Sequence, residues 1–371
     1  MNSPLKFSLS VLCLSLTSSA QTPPRSAFDN WDKNQDGFVA PAEFPAHLPA
    51  GAFAQADRNG DGKLTREEDT AFRSGLSGNR ATASAPTPPT TSEPARPSGM
   101  PAGTRVQKNL VYATVGSREL PLDLYLPAEG KGPFPLIIWV HGGGWRGGSK
   151  QQLNRCWGVL ERGFALASVE YRLSGEAIFP AAVDDCKAAV SYLRLNAAKL
   201  GVDPDRFGAW GSSAGGHLVS MLGVTGDTDK FTTHAVTQAA STKVQAVCNW
   251  FGPSDFLRMD DFPGSIKHNS ANSAEAHFLG RPIPEIPEIV QQANPITYIS
   301  AGDPPFLHMH GDKDVVVPFN QSELLHAALE KAGVPTELYR VKNGGHGLNK
   351  TDEGNDALFE RVVAFFDRTL K

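Results

Sequence analysis

Cysteine, excess positive charge and long apolar stretches are all scarce in this sequence. Four cysteines among 371 residues are too few for a small disulfide-stapled scaffold, and none lies in the paired spacing of a zinc site. The formal net charge of −4 argues against a nucleic-acid partner. No apolar run reaches the roughly 20 residues that a membrane helix needs, so we expect no transmembrane anchor.

Residues 1–20 carry the features of a secretory signal peptide. A single lysine, Lys6, precedes the apolar run 7–16, and small residues end the segment at Ala20. We therefore predict cleavage after Ala20 and a secreted or periplasmic protein. Cleavage would leave three cysteines, which cannot all pair within one chain, and the sequence does not say whether two of them pair: Cys156, Cys186 and Cys248.

Two twelve-residue segments, 32–43 and 57–68, follow the pattern of an EF-hand calcium loop. Each has Asp or Asn at positions 1, 3 and 5, glycine at position 6, a backbone carbonyl at position 7 and glutamate at position 12. We expect Val39 and Leu64 to join the loops through a short strand contact. The predicted Ca²⁺ ligands are Asp32, Asn34, Asp36, Phe38 and Glu43 in the first loop, and Asp57, Asn59, Asp61, Lys63 and Glu68 in the second.

These loops predict a paired EF-hand module over residues 21–79, with calcium in a structural or targeting role. Such a module offers a calcium-dependent contact with a surface or another protein. Residues 80–103 are rich in Ala, Pro, Thr and Ser, and this composition predicts an extended linker. The remaining residues, 104–371, alternate strand-like with helix-like runs. That alternation predicts an α/β domain with a mostly parallel sheet and helices on both faces.

A candidate nucleophile lies in the pentapeptide 211–215, Gly-Ser-Ser-Ala-Gly. A strand-like run precedes it and a helix-like run follows it. A serine hydroxyl is a weak nucleophile, so it has to be exposed on a tight turn beside a base and hydrogen-bond donors. Small residues two positions on either side permit that turn. We therefore predict that Ser213 is the nucleophile.

The apolar run 136–140 ends in the glycine-rich segment 141–145, His-Gly-Gly-Gly-Trp. Glycines allow the backbone to approach an oxyanion closely. We predict that the backbone N–H groups of Gly142 or Gly143 and of Ala214 form an oxyanion hole. Trp145 is a candidate platform for a sugar or an aromatic acyl group, and its alternative role is packing beneath the loop.

Asp314 and His346 are the predicted acid and base. Asp314 follows a strand-like run in the segment 311–318, and we prefer it to Asp312, which lies in the immediate turn where aspartate caps its own backbone. His346 lies between glycines that leave its imidazole room. The order Ser, Asp, His along the chain is that of an α/β-hydrolase. Three other histidines are predicted to be structural: His141, His217 and His310.

With these motifs in place, the domain 104–371 resembles the bacterial α/β-hydrolase esterases grouped with bifunctional feruloyl and acetyl-xylan esterases. The resemblance implies the triad Ser213, Asp314 and His346. It also implies an ester substrate, either a feruloyl or acetyl ester of plant polysaccharide such as hemicellulose or another short or aromatic acyl ester, and no cofactor for catalysis. The segments that carry it are 141–145, 148–150, 171–174, 179–187, 203–206, 250–256 and 294–298.

Two other interpretations remain open at this stage. The segments 310–318 and 344–347 are also similar to those of prolyl-oligopeptidase-like serine peptidases, but the 40- to 50-residue repeats of an upstream propeller are missing. The other alternative is a calcium-dependent binding protein with no activity. The long segment 256–299 contains Phe256, Phe262 and Phe278, which either line an acyl pocket or cover the core.

Overall fold

The computed structural model describes residues 100–371 except 154, 155, 227, 263–265, 349 and 350. Before residue 100 it describes residues 28, 31–34, 38–44, 53, 56, 57, 63–65, 68, 69, 97 and 99. The chain divides into two compact units, Met1–Glu93 and Pro94–Lys371. The predicted signal peptide lies outside the described residues, as does most of the predicted linker.

The described part of the N-terminal unit has a small apolar core. Phe28, Val39, Ala56 and Leu64 are buried and pack with aromatic side chains that include Trp31. Val39 and Leu64 form an antiparallel bridge, in which each backbone N–H donates to the other residue's carbonyl at 3.0 Å. The predicted strand contact between the two loops is therefore confirmed.

In the described part of the C-terminal unit, eight strands form one mostly parallel sheet in the order β1-β2-β4-β3-β5-β6-β7-β8. Only β1 with β2 and β2 with β4 pair antiparallel. The predicted fold class is confirmed. The strands are β1 (Arg105–Val115), β2 (Arg118–Leu126), β3 (Phe134–Val140), β4 (Ala165–Val169), β5 (Val202–Ser212), β6 (Ala246–Trp250), β7 (Phe306–Gly311) and β8 (Thr336–Val341).

Helices connect the parallel strands, as right-handed crossovers between such strands require. Short 3₁₀ turns at Ala235–Gln238, Phe256–Asp261, Ile283–Glu285 and Pro295–Tyr298 occupy the connections around β6. No helix in the described part of the chain is both long and apolar enough to cross a membrane. The α-helices are α1 (Gly158–Glu161), α2 (Ala181–Leu195), α3 (Ala197–Leu200), α4 (Ala214–Thr225), α5 (Ala274–Leu279), α6 (Pro287–Ala293), α7 (Asn320–Lys331) and α8 (Asn355–Leu370).

The two faces of the sheet bury two separate apolar clusters. Strand β3 is apolar throughout, as a strand covered on both faces must be. Leu136 and Ile138 join the cluster beneath α2, α4 and α7, whereas Ile137 and Trp139 join the one beneath α1 and α8. The sheet is thus rigidly held on both sides, and its strand ends provide fixed points for a site.

Glycine is required where β5 turns into α4. A Cβ atom added to Gly215 would lie 2.0 Å from the carbonyl oxygen of Val140, and one added to Gly211 would lie 2.3 Å from the carbonyl oxygen of Gly215. Contacts this short do not occur between real atoms. The turn can therefore pack against the end of β3 only because these two residues have no side chain.

We predict that Gly215→Ala destabilises the C-terminal unit by about 1–3 kcal/mol or more, because the added methyl group overlaps the end of β3. Chemical denaturation of the full chain measures the free energy of unfolding. Gly147→Ala is the matched control, since a Cβ there meets nothing within 4 Å. Equal stabilities of the two variants would contradict this account of the turn.

Candidate active site

Ser213 occupies a strained turn between β5 and α4. Its backbone has φ 55° and ψ −122°, a region that residues other than glycine seldom adopt. Two hydrogen bonds hold the turn: the N–H of Ser213 donates to the carbonyl of Trp250 at 2.8 Å, and the N–H of His217 donates to the carbonyl of Ser213 at 3.0 Å. This geometry presents the hydroxyl at the carboxyl edge of the sheet.

The structure brings the three residues of the predicted triad together. Nε2 of His346 lies 3.1 Å from Oγ of Ser213, and Nδ1 of His346 lies 2.8 Å from Oδ2 of Asp314. Because an ionised carboxylate only accepts hydrogen bonds, Nδ1 donates to Asp314, which leaves Nε2 of a neutral imidazole free to accept from the serine. The arrangement is that of a nucleophile, a base and an orienting acid.

Asp314 is buried and heavily hydrogen-bonded. Its Oδ1 accepts from the backbone N–H groups of Val316 at 2.8 Å and Val317 at 2.9 Å. Burial alone would raise the pKa of this carboxyl, but hydrogen bonds from His310 and His346 outweigh it and hold the pKa well below its ordinary value. Asp314 therefore stays ionised and fixes the orientation of the His346 ring.

Asp312, the alternative acid, has a different partner. Its Oδ1 accepts from the backbone N–H of Asn343 at 2.8 Å, so it fastens the turn after β8 to the end of β7. Asp314, two residues further along, lies at the end of a turn in which its N–H donates to the carbonyl of Gly311 at 3.2 Å, and its side chain reaches His346. This matches the reasoning from turn chemistry that favours Asp314.

The glycine loop after β3 lies directly beside the serine. A Cβ atom added to Gly142 would lie 3.3 Å from Cβ of Ser213, and Gly143 has φ 116°, which favours glycine. Ala214 is the first residue of α4, where backbone N–H groups have no partner within the helix. The donors predicted for an oxyanion hole are thus gathered around Ser213, and their role stays a prediction.

A cavity of about 450 Å³ opens over Ser213 and His346. The ring of Phe251 lies edge-on to His346, with centroids 4.8 Å apart. The other wall residues come from several distant segments of the chain, and only folding brings them to the cavity, so most of them are not predicted as site residues. They are Gln152, Pro253, Ile266, His268, Ala274, Glu275, Val316 and Val317.

Trp145 packs against other aromatic side chains in the structure, which agrees with its alternative role, and its role as a substrate platform stays a prediction. The side chain is only 2% exposed, although it reaches the cavity wall. Its ring stacks on Phe278 at 4.6 Å and meets the edges of Phe256 and His217. One face of the ring is therefore occupied by Phe278. Phe256 and Phe278 belong to the core, whereas Phe262 is exposed.

The described calcium-loop residues are only part of the predicted ligand set. Glu43 folds back over its own loop, accepting from the N–H groups of Lys33 at 3.2 Å, Asn34 at 3.3 Å and Ala40 at 3.0 Å. That position fits the closing ligand of a calcium loop. Among the described residues, no group of three or more His, Cys, Asp or Glu side chains is arranged so that it could hold a metal ion. Asp36, Asn59 and Asp61 lie outside the described residues.

Taken together, the mostly parallel sheet and the position of the site at its carboxyl edge are those of the α/β-hydrolase fold. The family model BD-FAE matches residues 122–329, which is more than half of the chain. The chain therefore belongs to the BD-FAE family, and the resemblance found in its motifs is confirmed. A model of the EF hand matches residues 50–68.

Individual relatives agree with this assignment. Esterase LipQ of Mycobacterium tuberculosis is 31% identical over 258 residues, which cover 68% of this chain and 59% of LipQ. A truncated carbohydrate esterase from gut microbiota is 33% identical with a TM-score of 0.66, over 73% of this chain and 99% of that one. A bifunctional GH43-CE protein of Bacteroides eggerthii is 32% identical with a TM-score of 0.63, over 72% and 38%.

We predict that stability falls as the pH drops below about 6.5. Burial lowers the pKa of His141 and His217 to about 4 and that of His308 to about 3. In the unfolded chain these pKa values return to about 6.5, so acid protonates the unfolded state first. Urea unfolding at pH 7.5 and pH 5 should differ by about 1–2 kcal/mol per histidine.

The control for this experiment is a second comparison, between pH 7.5 and pH 8.5. All three histidines are neutral in both states there, so their contribution should not change. A free energy of unfolding that is the same at pH 5 as at pH 7.5 would contradict the account.

Proposed function

We propose that the chain is a serine carboxylic-ester hydrolase that works through an acyl-enzyme on Ser213. The observation that carries this proposal is the position of His346, whose two ring nitrogens lie within hydrogen-bond distance of Ser213 Oγ and Asp314 Oδ2. Membership of an esterase family supports it independently.

In the first half-reaction, Nε2 of His346 takes the proton of Ser213 as Oγ attacks the acyl carbon. The carbonyl oxygen becomes an oxyanion, to which the N–H groups of Gly142 or Gly143 and Ala214 donate. Each such donor is worth on the order of 10²- to 10³-fold in rate. His346 then passes its proton to the leaving alcohol, while the charge of Asp314 stabilises the imidazolium.

In the second half-reaction, a water molecule replaces the alcohol. His346 takes its proton as the oxygen attacks the acyl-serine, the same donors hold the second oxyanion, and Ser213 leaves with the proton that His346 returns. Every proton transfer in this scheme uses a residue of the chain, so no cofactor is required for catalysis.

For the substrate, we propose feruloyl or acetyl esters of plant polysaccharide, or other short or aromatic acyl esters. One structural relative, from gut microbiota, is a carbohydrate esterase, which supports a carbohydrate ester here. The cavity is large enough for an aromatic acyl group, and most of its wall is glycine or apolar. A protein with a cleaved signal peptide at residues 1–20 would meet such polymers outside the cytoplasm.

The proposal predicts ester hydrolysis that depends on Ser213 and Asp314 but not on Asp312. Initial rates should be measured on p-nitrophenyl acetate, methyl ferulate, acetylated xylan and a prolyl-peptide anilide. We expect turnover of the esters and not of the anilide. Ser213→Ala should abolish it, and Asp314→Asn should reduce kcat by roughly 10⁴-fold, because the histidine loses its orienting charge.

Asp312→Asn is the matched control, because Asp312 lies two residues away and binds Asn343 instead of the histidine. It should retain at least half of the wild-type rate. Cleavage of the anilide alone would favour a peptidase, and no serine-dependent turnover of any substrate would favour a binding protein. Equal losses in Asp312→Asn and Asp314→Asn would contradict the assigned acid.

We further propose that the module 21–79 binds two calcium ions and that residues 104–371 form the catalytic domain. Asp32, Asn34, Asp36 and Glu43, with the carbonyl of Phe38, would hold one ion. Asp57, Asn59, Asp61 and Glu68, with the carbonyl of Lys63, would hold the other. At these positions the buried carboxylates Asp32 and Asp57 would be neutralised by the bound ions, which would stabilise the module.

Calcium titration of the full chain by calorimetry should give two bound ions, and the double variant Asp32→Ala, Asp57→Ala should lose both. Chelation of calcium should lower the unfolding temperature of the N-terminal unit. The rate of p-nitrophenyl acetate hydrolysis should change less than twofold. Unchanged binding in the variant, or hydrolysis that stops on chelation, would contradict the proposal.

A further inference from the structure

Two ionisable side chains that the proposed mechanism does not use lie in the wall of the cavity over Ser213. They are His268 and Glu275, and each is only 4% exposed. Most other wall residues are glycine or apolar, so these side chains are the main source of charge in this wall besides His346. Isolated polar groups in an apolar pocket commonly fix the orientation of a ligand.

Both residues are held in place by their own segments. Ser273 caps α5 by accepting from the N–H of Ala276 at 3.0 Å, which fixes the turn that carries Glu275. The N–H of His268 donates to Oδ1 of Asp260 at 3.0 Å. A Cβ atom added to Gly144 would lie 3.2 Å from Cβ of Ala274, so this segment packs on the glycine loop beside the nucleophile.

The two side chains are hydrogen-bonded to each other. Nδ1 of His268 lies 3.0 Å from Oε1 of Glu275. Burial lowers the pKa of His268, but the hydrogen bond and charge of Glu275, the charge of Asp260 and a hydrogen bond to the backbone of Val316 outweigh it and raise the pKa. The hydrogen bond to Glu275 therefore favours the protonated form of His268 and fixes the two side chains against each other in the wall.

Only one of the two carboxylate oxygens of Glu275, Oε1, has a hydrogen-bond partner among the described residues. Its Oε2 has no hydrogen-bond partner among the described residues and presents almost no surface to water. A buried acceptor without a donor is costly, and the cost is removed when a donor arrives. Glu275 lines the cavity and the terminal torsion of a glutamate is broad, so rotation of the carboxylate would allow Oε2 to meet a ligand there.

We propose that Glu275 determines substrate specificity, with Oε2 accepting a hydrogen bond from a hydroxyl group that the substrate carries near its ester. This inference rests on the proposed esterase function. His268 is a positioning residue that holds the carboxylate. The ligand chemistry is a hydroxyl donor, which either a sugar ring on the alcohol side or a phenol on the acyl side supplies. An ester without such a hydroxyl leaves Oε2 unpaired, and buried unpaired groups are what give a site strong discrimination.

The test compares two pairs of esters that differ in the hydroxyl group. Methyl ferulate is paired with methyl 3,4-dimethoxycinnamate, and a monoacetylated methyl xyloside is paired with cyclohexyl acetate. Glu275→Met removes both acceptors at similar volume and should lower kcat/KM for the hydroxylated member of one pair by about ten- to a hundredfold. The member without the hydroxyl should change less than threefold. A response of the ferulate pair would identify a phenol as the source of the hydroxyl group, and a response of the xyloside pair would identify a sugar.

Glu275→Gln is the second variant, because it keeps one neutral acceptor and should restore part of the discrimination, even if Glu275→Met folds poorly. Glu285→Gln is the matched control, since Glu285 is exposed and pairs with Arg281. Equal losses on both members of each pair would show that the carboxylate only supports the loop, and would overturn the proposal, as would unchanged ratios. A wild type that hydrolyses none of the four esters would instead overturn the proposed function.

Discussion

The strained backbone of Ser213 is the constraint on which the rest of the site depends. A residue with a side chain holds φ 55° only when its surroundings leave it no alternative. Here Gly211 and Gly215 let the turn pack against the end of β3, and the carbonyl of Trp250 at the end of β6 accepts from the serine N–H. Two neighbouring strands therefore fix one hydroxyl group in space.

The parallel sheet supplies the other components at the same edge. The carboxyl ends of β3, β5, β7 and β8 lie close together, so the loops after them bring the glycine segment, the serine, the aspartate and the histidine into one place. The buried carboxylate of Asp314 is held by backbone donors on one oxygen and by histidines on the other. The ionised carboxylate then orients the ring of His346, so that Nε2 of the ring faces Oγ of Ser213.

Local chemistry explains which parts of this arrangement could be predicted from the sequence. Short turns that contain glycine and follow strand-like runs carry the three triad residues, Ser213, Asp314 and His346. The residues adjacent to each one are therefore enough to predict its position. The packing of Trp145 could not be predicted from its neighbours, because its stacking partner, Phe278, comes from a distant segment that no local pattern connects to it. His268 and Glu275 were missed for the same reason, since only folding brings their irregular segment to the cavity.

The most direct test of the central claim is to label the nucleophile covalently and to identify the residue that carries the label. The full chain is treated with a fluorophosphonate that modifies activated serines, and the adduct is located by peptide mapping and mass spectrometry. The account predicts one adduct per chain, on Ser213, that forms in step with the loss of ester hydrolysis and is absent from His346→Ala. Hydrolysis that continues without an adduct, or an adduct on Ser212, would contradict it.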